Sequence, residues 1–257
     1  MNPMLLSSTA IISVLSFMSS AYAHERDDGT IHLCGDAVDW PPYTYTDKGQ
    51  VLGVDVDILR NIFDKHDIRY DVSMTSWTRC LRGVEQGMYD IALSATFAKE
   101  REQKYLYTDW YYDITPVYVF SRMNHPKGIE LKSPSDLNNY VVCGIFGYNY
   151  RDFNLDDIQQ YANSIYQGLN AVRQKQCDVF ISWKEIHQGF QKIWNISIIG
   201  DEFEERNVPN MDKHRFYMMI SQTRADKEQL RELINKEIAR LKRSGEIENI
   251  ISRHTSP

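Results

Sequence analysis

The feature that most constrains the fold is an alternation of short apolar runs with amphipathic ones between residues 31 and 93. Residues 31–35 read as a strand. Residues 55–65 read as a helix, with Val56, Leu59, Ile62 and Phe63 on one face. Residues 70–74 are again extended. Residues 78–86 follow, with Leu81 and Val84 at helical spacing and Gly87 placed to close the helix. Residues 90–93 form the next strand. The order β-α-β-α-β implies a parallel sheet, because parallel neighbours need a crossover that a helix supplies.

A second, smaller series follows. Residues 114–121 are extended, and Pro134 and Asp136 open a short helix. Residues 140–145 are a strand ending at Phe146, Gly147, Tyr148 and Asn149. Helices are predicted over 154–162 and 167–175, then a strand over 178–182. Residues 216–221 are extended. An amphipathic helix spans 226–241, with Leu230, Leu233, Ile234, Ile238 and Leu241 on one stripe. Two sheets joined by crossings near 114–121 and 215–221 make two lobes. A ligand cleft is expected where the strand ends of the lobes face each other.

Residues 1–23 contain no charged side chain. An apolar run over 5–17 leads to Ala21-Tyr22-Ala23, a small-x-small cleavage pattern. This reads as a secretory signal peptide cleaved after Ala23. Nothing later is long and apolar enough to span a membrane, so a soluble, exported chain is expected. Export changes how Cys34, Cys80, Cys143 and Cys177 read: an even count in an oxidising compartment suggests disulfides, with three pairings open. No CxxC pair occurs, which argues against a zinc site. A net charge of −6 gives no basis for nucleic-acid binding. No phosphate loop, GxSxG or HExxH motif is present, and no cofactor or metal is called for.

Residues 87–101 hold the chemistry. They read as a buried strand, then a hydroxyl-bearing loop, then an arginine opening a helix-like turn. Free backbone N–H groups, Ser94, Thr96 and Arg101 can converge on one anion. Arginine suits this because its planar fork matches a carboxylate bidentately. The plainer reading is a solvated arginine in an ordinary loop.

Trp40-Pro41-Pro42-Tyr43, residues 52–59 (LGVDVDIL), Trp77, Gly87-Met88-Tyr89-Asp90, Thr96 and Glu100-Arg101 occur in a telling order. Together they make the chain resemble, over residues 31–253, the bacterial family 3 extracellular solute-binding proteins, the periplasmic receptors of polar amino-acid ABC importers. Tyr107-Thr108-Asp109-Trp110-Tyr111 is similar to the family's Phe-Ser-x-Pro-Tyr segment, with Trp in place of Pro. The resemblance implies an α/β, two-lobe periplasmic-binding-protein-like (type II) fold with a hinged cleft. Lobe 1 would take residues 24–113 and 216–257, and lobe 2 residues 114–215. It further implies a non-catalytic monomer in the periplasm that captures a small carboxylate-bearing solute for an inner-membrane ABC permease. Arg101 would clamp the carboxylate, with Ser94 and Thr96 assisting and Trp40 covering the ligand. Trp77 belongs to the same candidate set.

Two departures matter. Gly147-Tyr148-Asn149 stands where the family has Gly-Thr-Thr, so backbone contacts from that turn are expected and hydroxyl contacts are not. Trp183 stands where the family's amino-acid binders place the aspartate that holds the ligand's ammonium. Glu185, Asp36 or Asp39 would have to replace that charge, or the ligand lacks a free α-amino group; a buried ammonium without a counter-charge is costly. Trp183 also reads as core packing at a strand end, or as a stacking or cation–π surface. In this fold Cys34 and Cys80 lie on neighbouring elements of one lobe, and Cys143 and Cys177 on neighbours in the other, implying bridges 34–80 and 143–177. Two other functions stay open. One is a periplasmic cyclohexadienyl or arogenate dehydratase-like enzyme, with Glu185 as general acid, although no pair of groups demands catalysis. The other is a receptor feeding a signalling partner.

Overall fold

A computed structural model describes residues 29–38 and 40–255. The expected signal peptide and Asp39 lie outside the described residues. The chain runs β1 (Ile31–Asp36), the hairpin β2 (Tyr45–Asp47) and β3 (Gln50–Leu52), α1 (Val54–Phe63), β4 (Tyr70–Thr75), α2 (Trp77–Glu85), β5 (Ile91–Thr96), β6 (Tyr105–Tyr107) and β7 (Tyr112–Ile114). It continues through β8 (Pro116–Ser121), β9 (Val142–Ile145), β10 (Gln159–Ala162), α3 (Ile165–Arg173), β11 (Val179–Trp183), α4 (Lys184–Trp194) and β12 (Phe203–Asn207). Strand β13 (His214–Ser221) and helices α5 (Lys227–Arg243) and α6 (Glu246–Thr255) end it.

Two larger sheets form. The first has the order β4-β1-β5-β13-β6, with β7 also paired to β13; the second has β10-β9-β11-β8-β12. Strand β1 is parallel to β4 and β5, as the β-α-β-α-β pattern requires. Strand β9 is likewise parallel to β10 and β11. The strands that arrive by crossing between sheets, β8 and β13, pair antiparallel with their neighbours. The chain changes sheet at Thr115 and again over residues 208–213. The architecture is the two-lobe α/β type expected.

The helices bury the faces that their apolar spacing dictates. Helix α1 buries Val54, Ile58, Leu59, Ile62 and Phe63, while Val56 is only half-buried. Helix α5 buries Leu230, Ile234, Ile238 and Leu241, and with them a charged residue, Glu237. Glu237 is tolerated there because Lys65 reaches it at 2.9 Å, His66 at 3.1 Å and Arg240 at 2.5 Å. Gly87 ends α2 with φ +74°, the left-handed conformation that glycine adopts without strain. Cys34–Cys80 ties β1 to α2, and Cys143–Cys177 ties β9 to the turn before β11, the pairing expected.

The helix expected over 154–162 does not form. Asn154, at φ +52°, closes a short 3-10 turn at Arg151–Phe153, and Gln159–Ala162 then pairs with β9 as an edge strand. Only Ala162 of that strand is buried, so no apolar stripe was available to hold a helix against the lobe.

Candidate functional site

The ends of β1 and β5, the start of α2, the loop after β9 and the end of β11 meet in a cleft between the two sheets. It is lined by Gly35, Asp36, Trp40, Thr44, Trp77, Leu93, Ser94, Thr96, Arg101, Tyr148, Asn149, Trp183 and Phe216. The void among them is about 40 Å³.

Trp40 is positioned by its loop. The carbonyls of Pro42 and Tyr43 accept the Val54 and Asp55 N–H groups at 3.0 Å each, which pins the loop to the start of α1. Gly53 permits this approach: at φ +123°, a Cβ there would lie 2.2 Å from the Tyr43 carbonyl oxygen. The Trp40 indole N–H donates to the Tyr112 hydroxyl at 3.2 Å. Trp183, also buried, donates its N–H to His214 Nδ1 at 3.2 Å. The two indoles meet edge-on across the cleft, 5.1 Å between centroids. Tyr148 and Phe216 complete the box, 5.7 and 5.9 Å from Trp40. Trp183 is therefore both core and cavity wall.

Arg101 lines the cavity from a short turn after β5. Its neighbours are paired elsewhere: Lys99 with Glu102 at 2.7 Å and Glu100 with Arg151 at 2.8 Å. Among the described residues no carboxylate lies within ion-pair reach of Arg101, whose guanidinium meets the Tyr107 hydroxyl. Thr96 stands near it, its hydroxyl oxygen accepting from Asn149 Nδ2 at 3.3 Å. Asn149 also donates to the Phe97 carbonyl at 2.9 Å, so this side chain stitches the second lobe to the first.

Three expected roles change. Ser94 lines the cavity, but its hydroxyl donates to Asp55 at 2.5 Å and accepts from Tyr112 at 2.8 Å. Its one hydrogen is committed beneath the site and is not available to an anion. Gly147 does not line the cavity, and its N–H donates to Gln160 Oε1 at 3.2 Å. Its part is close approach: at φ +81°, a Cβ would lie 2.8 Å from Thr78 Cγ2 of the other lobe. Glu185 lies outside the cavity as well. It sits in the first turn of α4 and accepts the Thr115 N–H at 2.7 Å and the Thr115 hydroxyl at 2.8 Å. It clamps the chain where it crosses between sheets.

Of the acids considered, Asp36 is the one in the cavity. It accepts the Tyr148 hydroxyl at 2.9 Å and the Val38 N–H at 3.1 Å. Burial pushes its pKa up to about 6, against the lowering effect of these bonds. Below the floor lies a second acid, Asp55, fully buried and held by Thr44, Ser94 and Tyr111 hydroxyls. Burial raises it to about 6 also, and its Oδ1 has no partner. The signal for Asp36 was its place at the carboxyl end of β1, where open α/β sheets bind ligands. Nothing local in the sequence marks Asp55.

The chain matches the bacterial extracellular solute-binding proteins, family 3, over residues 33–257. It belongs to that family. Among curated relatives, this family 3 protein is 22% identical over 142 residues to the "Probable amino-acid-binding protein YxeM" of Bacillus subtilis (strain 168), 55% of this chain and 52% of that protein. It spans about half the length of the curated relatives it matches. Among solved structures it resembles the arginine-, lysine-, histidine-binding protein ArtJ of Geobacillus stearothermophilus, at TM-score 0.70 and 16% identity, covering 89% of this chain and 96% of that one. It also resembles the ancestral amino acid-binding protein AncCDT-1, described as a precursor of cyclohexadienyl dehydratase, at TM-score 0.68 and 18% identity, covering 89% and 96%. At these identities the likenesses speak for the fold. Among the described residues no helix is long and apolar enough to cross a membrane, and no cluster of three metal-ligating side chains occurs.

Proposed function

We propose that this family 3 protein is a non-catalytic periplasmic receptor that captures a small carboxylate-bearing, amino-acid-like solute and delivers it to an inner-membrane ABC permease. The observation that supports this most is Arg101, a guanidinium without a carboxylate partner among the described residues, set in the same cleft as Asp36. The pair offers a cation to a carboxylate and an anion to an ammonium. Lobe 1 (24–113 and 216–257) and lobe 2 (114–215) would close on the solute as a monomer, bending at Thr115 and over 208–213. With the lobes as they stand, the Trp40–Trp183 and Asp36–Tyr148 contacts span the cleft. Entry therefore requires the Trp40–Trp183 and Asp36–Tyr148 contacts to part. Arg101→Ala is expected to abolish ligand-induced thermal stabilisation across an amino-acid panel. A micromolar ligand at millimolar concentration adds about 4 kcal/mol to the wild type, and retention of that shift in the variant would refute the clamp.

A dehydratase reading draws on one observation, the raised pKa of Asp36 inside an aromatic cleft, which suits a general acid. Incubation with prephenate or arogenate tests it, and no aromatic product is expected.

A further inference from the structure

We infer that the solute is a zwitterionic α-amino acid whose side chain is uncharged and apolar. This rests on the reading of Arg101 as the carboxylate clamp. Charge comes first. Among the described residues the cavity holds one cation, Arg101, and one acid outside the buried floor, Asp36. An α-carboxylate and an α-ammonium use both. A charged side chain would then enter the cleft without a counter-charge, at a cost no ordinary contact offsets.

Hydrogen bonding comes second. Thr96 stands beside Arg101 at the carboxylate end, and the other polar groups of the wall are paired in the structure as it stands. The Trp40 N–H is given to Tyr112, and the Trp183 N–H to His214. The Tyr148 hydroxyl and the Asn149 amide bridge the lobes, to Asp36 and to Thr96 and Phe97, so they part as the cleft opens and are committed again when it closes. The Thr44 and Ser94 hydroxyls are given to Asp55. The wall these groups leave to a side chain is the rings of Trp40, Trp77, Trp183 and Phe216 together with Leu93. Such a wall offers dispersion and burial, and no polar match for a guanidinium, imidazolium, carboxylate or amide. The inference thus separates this chain from ArtJ, whose description names arginine, lysine and histidine.

The test is calorimetric titration at pH 7.5 with L-leucine, L-phenylalanine, L-arginine, L-lysine and L-glutamate, repeated on Arg101→Ala. Leucine or phenylalanine is expected to bind, with the three charged amino acids at least about 100-fold weaker. A charged amino acid binding equally well or better, and lost in Arg101→Ala, overturns this inference and leaves the receptor reading standing. Binding that survives Arg101→Ala, or none by any amino acid, overturns both. The ammonium is tested separately with 4-methylpentanoate, which is leucine without its amino group. The wild type is expected to prefer leucine over it, and Asp36→Asn, close to isosteric, to collapse the difference. If Asp36→Asn weakens both equally, the zwitterion assignment fails.

Discussion

Gly189 offers a way to act on lobe closure without touching the ligand. It is buried on α4, in the lobe of the second sheet, and faces the Pro41-Pro42 peptide of the first lobe. A Cβ on Gly189 would lie 2.3 Å from the Pro41 carbonyl carbon and oxygen and 2.6 Å from the Pro42 nitrogen. Ordinary contact begins about 1 Å further out. The obstructing atoms are backbone, so no side chain can swing away and the lobes themselves must separate. Overpacking of this kind costs about 1–3 kcal/mol. Alanine's better helix propensity, about 1 kcal/mol, acts on open and closed forms alike and does not enter the difference. If the contact belongs to the closed form, Gly189→Ala weakens solute binding by about 5- to 150-fold. Calorimetric titration beside the wild type measures this, and small-angle scattering should show a more open unliganded protein. An affinity within twofold of wild type would refute the reasoning. So would an unfolding free energy, measured without ligand, that falls by as much as the binding free energy, since the contact would then belong to both forms.

Other outcomes follow from the buried charges and the bridges. Asp36 must be ionised to hold an ammonium, so amino-acid affinity should be flat well above pH 6 and fall as the pH drops below about 6; titration calorimetry across pH 5–8 checks it. Without ligand the sign reverses. Asp36 and Asp55 have folded pKa values near 6, above the ordinary aspartate value of 3.8, so their contribution is complete below about 3.8 and lost as the pH rises through about 6. Asp55→Asn should flatten part of that slope in urea unfolding. Glu237 runs the other way: burial pushes it up, but Arg240, Lys65 and His66 outweigh that and hold it at about 2. Its contribution is present above about pH 4.5 and lost toward pH 2, and Glu237→Gln should remove that acid limb. The Cys34–Cys80 and Cys143–Cys177 bridges close 46- and 34-residue separations, each worth about 4 kcal/mol in the chain-entropy view. Reduction should lower the melting temperature, and non-reducing peptide mapping should find no bridge between lobes.

The fold was legible where one residue pattern had one structural solution. Residues 31–93 alternate so regularly that the parallel order around β1 followed, and the cysteine pairing followed from the fold. It was less legible where segments are short or lie at an edge. Residues 159–162 expose most of their side chains, so pairing to β9, and no periodicity of their own, decides their conformation. Helix α4 escaped notice although Ile186 and Phe190 keep helical spacing on its buried side, and the approach of Gly189 to Pro41-Pro42 of the other lobe is a tertiary contact with no sequence signal. In the site, Arg101 could be found because its chemistry is carried by one side chain at one turn. Glu185 was misplaced because its position depends on the direction in which α4 leaves the sheet, a property of tertiary packing.

Ser94 shows how a correct position can carry a different role. Its place after β5 suggested a hydroxyl aimed at an anion. Instead a chain of donors runs from the Trp40 indole to Tyr112, from Tyr112 to Ser94 and from Ser94 to Asp55, at 3.2, 2.8 and 2.5 Å. Each group has one hydrogen to give and gives it inward. The direction of the chain thus orients the Trp40 ring toward the cleft and leaves its face apolar. The carboxylate at the end also explains why the tyrosine hydroxyls can be buried at all: each finds an acceptor or donor in the network. The same network removes Ser94 and Thr44 from the inventory of ligand donors. On the proposed receptor reading, recognition of an anion in the first lobe then falls to Arg101 and Thr96, and the polar cluster beneath them is what holds the aromatic wall in place.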